Sequence, residues 1–242
     1  MGADQRNAPH QSYRKQKILT VLTAIALLFA SLSIAKLTAP EIRPVFAAQE
    51  RPCLIIDPGH GGIDGGAIAY NGVKESDLNL QVALKLRDLA AFCGCSTFMT
   101  RADDSARTDI ENYSEREDLE HRVQLIESVQ NAVVISIHQN FFPTSQPSGA
   151  QVFYAPGEDS RRLGTMARDL LVDNLHPGDR RLASPAPEKL YLTSHVTHPA
   201  ILVECGFLSN LNDLQLLCDD SYQTSIAVIL CSAYLCATAN TT

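Results

Sequence analysis

Cys53-Leu54-Ile55-Ile56-Asp57 runs straight into Pro58-Gly59-His60-Gly61-Gly62. A short unbroken apolar run closed by turn residues reads as a central strand covered on both faces. The pattern recurs twice. Val133-Val134-Ile135-Ser136-Ile137 leads to His138, and Ala200-Ile201-Leu202-Val203 leads to Glu204. Each run is expected to end at the polar residue. In open α/β sheets ligands bind beyond the carboxyl ends of such strands. Two histidines and a carboxylate delivered there can converge although they lie far apart in sequence. That is the layout of a hydrolytic metal centre, with zinc as the expected ion.

Outward from these runs, strand and helix patterns alternate. A helix starting near Ser76 or Asp77 carries Leu78, Val82, Leu86 and Leu89 on one face and ends at Gly94. Ser96 to Thr100 reads as a strand, 117–129 as a helix and Gln151 to Tyr154 as a strand. Ser160 to Leu175 reads as a helix stopped before Pro177, and Leu190 to Leu192 as a short strand. Two terminal helices follow, around 212–217 and 221–236. This order predicts an α/β fold: one domain, a mostly parallel twisted sheet with helices on both faces. The expected boundaries are a basic cytoplasmic flank over 1–17, a membrane anchor or signal segment over 18–35 and a linker over 36–51. A catalytic domain over 52–237 and a tail over 238–242 complete the chain. Ile18 to Ala35 is almost wholly apolar behind Arg14, Lys15 and Lys17, a flank that suits export. Both an uncleaved anchor and a cleaved signal fit it, with small-residue sites at 45–48 and 33–35. The expected location is therefore outside the cytoplasm.

Six of the 20 basic residues and two of the 27 acidic ones lie in the first 48, so the remaining body carries a net charge of −11. Such a body has no basic stripe to displace phosphate counterions, which argues against a nucleic-acid partner. The seven cysteines include no C-x-x-C pair, and most lie on apolar segments, where Cys packs as a small hydrophobe. Cys205 is a weak candidate nucleophile, since no base stands at a recognisable spacing.

The site residues each have an ordinary explanation when taken alone. His60 can be a turn residue, Glu75 can favour a helix N-terminus, and His138 can be a satisfied core histidine. Together they supply three protein ligands of the type that catalytic zinc takes, with a position left for water. Glu204 then remains as a carboxylate not used in coordination.

Ile56 to Gly62, Glu75-Ser76, Ser136 to Asn140 and Leu202 to Asn210 resemble the zinc-dependent N-acetylmuramoyl-L-alanine amidases of the amidase-3 type. Met99-Thr100-Arg101, Leu119 to Arg122, Gly149 to Tyr154 and Pro199 extend the match across 53–236. The resemblance implies His60, Glu75 and His138 as zinc ligands and Glu204 as the catalytic carboxylate. It also implies cleavage of the amide between the lactyl group of N-acetylmuramic acid and L-alanine. Peptidoglycan strands with stem peptides are thus the expected partner, besides a membrane through the N-terminal segment. A helper protein is left open. Asn112 to Leu119, Asp179 to Arg181 and Lys189 to His195 resemble the sporulation branch of endospore-formers, which acts in cortex peptidoglycan. Two departures stand out: Gln139 where a small residue is common, and Cys205 where Thr or Val is common. The alternatives are a zinc peptidase acting on another wall bond and a non-catalytic wall-binding protein.

Lesser residues have two readings each. Asp57 either orients a ligand histidine or serves the turn before Pro58. Asn140 either meets substrate or holds its loop. Arg101 meets a stem-peptide carboxylate or, as the favoured reading, pairs with acidic neighbours at the surface. His195 and His198 are rim or structural residues. The connection from Phe141 to Gly149 holds Pro143 and Pro147, too short and too proline-rich for a plugging helix. The cleft is therefore expected to be open, with Phe141 and Phe142 lining it or packing beside it.

Overall fold

The three apolar runs are neighbours at the centre of one sheet. The computed structural model describes residues 51–105 and 113–239. The expectations placed on 1–50 lie outside the described residues. Strands β1 (Cys53–Pro58), β2 (Thr97–Met99), β3 (Ala132–Asn140), β4 (Gln151–Tyr154), β5 (Ser184–Pro185) and β6 (Ala200–Phe207) form a six-stranded sheet in the order β2-β1-β3-β6-β4-β5. All pairings are parallel except β4 with β6, which is antiparallel. All the described residues fall within the unit Ala48–Thr242.

The helices are α1 (Glu75–Phe92), α2 (Glu115–Glu127), α3 (Glu158–Leu175), α4 (Tyr191–His195), α5 (Leu211–Leu217) and α6 (Asp220–Ala237). The period-two alternation of side chains divides the core. Leu54, Ile56, Val133 and Ile135 join α1, α3 and α6 in one apolar cluster. Ile55, Val134 and Ala200 point the other way, towards Ile126 of α2 and Leu192 of α4. Helices therefore cover both faces, and the α/β expectation holds. Among the described residues no helix is long and apolar enough to cross a membrane.

Three local expectations need correction. Leu190 to Leu192 does not form a strand, because Tyr191 opens α4. Three alternating residues carry too little periodicity to separate strand from helix. The strands also outlast the runs that announce them: β3 continues through His138 to Asn140 and β6 through Glu204 to Phe207. A register shift between His138 and Asn140 marks where their pairing becomes irregular. Finally, neither Ser76 nor Asp77 caps α1. Its N-cap is Lys74, without a side-chain bond. The first helical N–H groups instead reach loop carbonyls, Glu75 N to Ala67 O at 2.9 Å and Ser76 N to Gly65 O at 3.1 Å. The glycine loop itself caps the helix that begins with Glu75.

Candidate metal centre

The chain leaves β1 at Pro58 and turns through four residues, His60 among them. His60 has a φ of 61°, in the left-handed region that non-glycine residues rarely enter. Gly61 and Asp64 exchange backbone hydrogen bonds of 2.8 and 3.1 Å, folding the loop back on itself. This brings Asp64 Oδ2 to 2.7 Å from His60 Nδ1. Metal-binding imidazoles usually give their second ring N–H to such a carboxylate, which fixes tautomer and ring direction. The other nitrogen, Nε2, faces Glu75 Oε1 at 3.3 Å.

Glu75 is the first residue of α1 and is buried. Its Oε1 accepts from Gln139 N at 3.1 Å and from Asn79 Nδ2 at 3.4 Å, and its Oε2 accepts from Ala67 N at 3.0 Å. Asn79 is held in turn by Gln139 Nε2 at 3.1 Å. His138 enters from β3 with Nδ1 3.0 Å from Glu75 Oε1. The two imidazoles meet edge to face, with ring centroids 5.1 Å apart. One donor atom each from His60, Glu75 and His138 lies within 4.8 Å of the others.

Two glycines make the convergence possible. A Cβ on Gly59 would stand 2.2 Å from the His138 ring, and one on Gly66 would stand 2.7 Å from Glu75 Oε2 and 2.8 Å from the His60 ring. Donors bound at about 2.1 Å to a tetrahedral ion sit roughly 3.4 Å from one another. The 3.3 Å and 3.0 Å separations to Glu75 are close to that edge, so this donor set fits a small divalent ion.

Glu204 completes the cluster. It is the register partner of His138 across β3 and β6, so both side chains emerge side by side on one face. Its Oε2 is buried and has no hydrogen-bond partner. Burial, with the nearby Glu75 charge adding to it and the imidazoles opposing it, pushes its carboxyl up to about 7. Glu75 behaves oppositely. Burial alone would raise it, but hydrogen bonds and charge attraction from His138 and His60 hold it well below the usual carboxylate range. Burial would lower His60, yet Asp64 and Glu75 outweigh it and raise the imidazole to about 10. Neighbouring carboxyls thus take opposite states: Glu75 is a fixed anion, whereas Glu204 titrates near neutrality. All four residues line one cavity of about 300 Å³, with Tyr191 and Lys189 on its rim.

The lesser residues now separate. Asp57 makes its hydrogen bonds elsewhere than to His60 or His138. Its carboxylate accepts from Thr100 at 2.6 Å, Ser136 at 2.7 Å and Arg122 at 3.0 Å, deep in the core. The orienting role belongs to Asp64, which sequence reasoning missed. The available signal was an acid four residues after His60 in the same glycine loop. Arg101 is neither a surface partner nor a substrate contact. It is 1% exposed and its guanidinium is spent on backbone carbonyls. Asn140 holds β4 through Gln151 Oε1 at 2.7 Å. His195 stacks on Tyr191 with centroids 3.7 Å apart. Phe141 lines the cavity, half-exposed, and the stretch from Phe141 to Gly149 contains no helix. Cys205 is buried, and burial, then the Glu204 charge, pushes its thiol up to about 12, so it is no nucleophile. Its thiol lies against the Gln139 side chain, so the two departures noted in the sequence are neighbours in space.

A family model described as N-acetylmuramoyl-L-alanine amidase matches residues 54–233. The germination-specific N-acetylmuramoyl-L-alanine amidase of Bacillus subtilis (strain 168) is 37% identical over 179 residues, 72% of this chain and 74% of that protein. The CwlD amidase of Clostridioides difficile, solved in complex with the GerS lipoprotein, superposes with a TM-score of 0.72 at 34% identity. The match covers 77% of this chain and 99% of that one. AmiC2 of Nostoc punctiforme gives a TM-score of 0.66 at 26% identity, covering 76% and 95%. The chain belongs to the amidase-3 family and is an N-acetylmuramoyl-L-alanine amidase of its germination branch.

Proposed function

We propose that His60, Glu75 and His138 hold a zinc ion, that Glu204 moves the proton, and that the enzyme is exported to act in cortex maturation of endospores. The observation that carries the site assignment is the convergence of those three donors beside the unpartnered buried oxygen of Glu204. Zinc bound there would supply Lewis-acid stabilisation of the developing oxyanion and would acidify the attacking water. Asp64 fixes the His60 tautomer, and Gln139 with Asn79 fixes the Glu75 carboxylate, so the donors are set before substrate arrives. Glu204, ionised at neutral pH and above, takes one proton as water oxygen joins the lactyl carbonyl carbon. It returns that proton to the nitrogen of L-alanine as the C–N bond breaks, because an amine departs poorly as an anion. Phe141 and Tyr191 border the open cleft through which a glycan strand would reach the cluster.

Export accords with the apolar stretch behind Arg14, Lys15 and Lys17, and a cortex role with the germination-specific relative. The reading includes a lipoprotein helper like that bound to the Clostridioides difficile amidase. Digestion of purified cortex peptidoglycan with and without a chelator, followed by mass analysis, tests it. Free intact stem peptides and lactyl-bearing glycan should appear only without chelator. Glu204→Gln should keep zinc and melting temperature while losing about 10²- to 10⁴-fold in activity. Near-normal hydrolysis by that variant would remove Glu204 from the mechanism.

A further inference from the structure

Beneath the cluster lie two buried arginines whose hydrogen bonds to the loop all go to the main chain. Arg101 Nε donates to Pro58 O at 2.9 Å, and Nη2 donates to Gly59 O and Ser76 O, each at 2.9 Å. Arg122 Nη1 donates to Pro58 O at 2.8 Å and Nη2 to His60 O at 2.5 Å. Asp57 and Asp118 hold Arg122 from behind, at 3.0 and 2.7 Å. Three successive carbonyls of the histidine loop, and one in the first turn of α1, are thus held by two cations. Each arginine is nearly inaccessible to solvent.

We propose that Arg101 and Arg122 are positioning residues that set the metal affinity of this centre by locking the His60 loop onto the helix that begins with Glu75. The loop needs such a lock. His60 sits at a positive φ and is followed by Gly61 and Gly62 with φ of 137° and 59°, and residues held there persist only where their surroundings over-determine them. Arg101 spans the gap directly, since one nitrogen bonds both Gly59 O and Ser76 O. The planar five-donor fork makes this possible, and a lysine carries the same charge without it. Burying two guanidinium groups is costly, and two carboxylates and five carbonyls, Asp103 O among them, offset that cost here. Neither arginine donates to a ligand side chain, so the effect passes through loop geometry alone.

The proposal rests on the metal reading of the site, and the test separates the two. The full-length chain and its Arg101→Lys, Arg122→Lys and Asp118→Asn variants are stripped of metal. Zinc affinity is then measured against a chromophoric chelator, at a temperature where circular dichroism shows each apo form folded. Both lysine variants should bind zinc about 10- to 100-fold more weakly, the range seen when outer contacts of ligands are lost. Cobalt-substituted forms should show shifted and broadened d–d bands, and Asp118→Asn should lose affinity in the same direction by less. A merely structural role would lower the melting temperature and leave the folded state's affinity and cobalt spectrum alone. If the parent chain binds no zinc, the metal reading fails. If it binds and the folded lysine variants bind equally well, only the clamp fails. Lysine variants that do not fold at all would also overturn the clamp, placing these arginines in the core's construction instead.

Discussion

His60 and His138 reach the same cluster by opposite means. His138 stands inside a nine-residue strand with its neighbour Glu204 in register on β6. Its backbone is placed by pairing with β6, just past the point where pairing with β1 ends at Ile137, and its φ is not in the left-handed region. His60 stands on a glycine loop in a left-handed conformation, outside any ladder. Its ring is aimed by Asp64 and its carbonyl is gripped by Arg122. One proposed ligand is set by the sheet and the other by side chains recruited from three separate elements. Two proposed ligands of the same residue type thus have unequal support, so mutations near them should differ in kind.

The largest effect should come where the two supports touch. Gly59→Ala drives a Cβ into the His138 ring, 2.2 Å away, on backbone that cannot retreat from β1. Zinc content should fall to background and activity by more than about 100-fold. Gly65→Ala, whose nearest contact is the flexible Lys74 side chain at 3.4 Å, should bind zinc like the parent. Equal behaviour of the two would mean that the glycine loop does not shape the site.

Asp64→Asn should sharpen the contrast. It removes the charge behind His60 and should weaken zinc binding by about 10- to 100-fold in chelator competition. Asn140→Ala, on the His138 strand, should leave affinity within about twofold, because the ladder still positions the histidine. Matching losses would show that His138 also depends on side-chain support.

The pH profile probes Glu204, on the sheet-set side. Its carboxyl sits near 7, and only the ionised form accepts a proton. The ionised fraction therefore falls as pH drops, and kcat/KM should decline about tenfold per unit on the acid side of pH 7. A bound cation would draw the value lower, so a limb well above pH 7 would contradict the assignment. The smallest effect belongs to Cys205→Val. The buried thiol has only a packing role, so hydrolysis should stay within about twofold, with stability changed by less than ~1.5 kcal/mol. Abolished turnover with zinc retained would reopen the cysteine as a reacting group.

What could be read in advance followed the physics of each signal. The central strands were visible because a strand buried on both faces needs a continuous apolar run, and such runs are local. The helices at 158–175 and 220–237 followed from periodicity, and their observed ends lie within two residues of the expected ones. Strand β5, only Ser184–Pro185, has no sequence signal, since its two residues pair with Phe153 and Tyr154 at the sheet edge. Leu190 to Leu192 carries too few apolar residues to show that a helix begins at Tyr191. Arg101 reads from the sequence as a surface cation and nothing marks Arg122 as buried, since acceptors made of backbone carbonyls leave no mark in residue types.

By itself, the sequence determined the α/β class with a mostly parallel sheet, the three apolar strands, and the identity of four chemically apt side chains. Those properties depend on residue type and short-range pattern, which the chain displays directly. Tertiary structure alone decided that Asp64 and not Asp57 backs His60, that the glycine loop caps α1, and that Gln139 and Cys205 meet. It also decided that two arginines lie inside and hold the loop. Each of these is a matter of where a backbone carbonyl or a side chain arrives after residues far apart in the chain are brought together. Residue types carry no record of that distance until the sheet has closed around it.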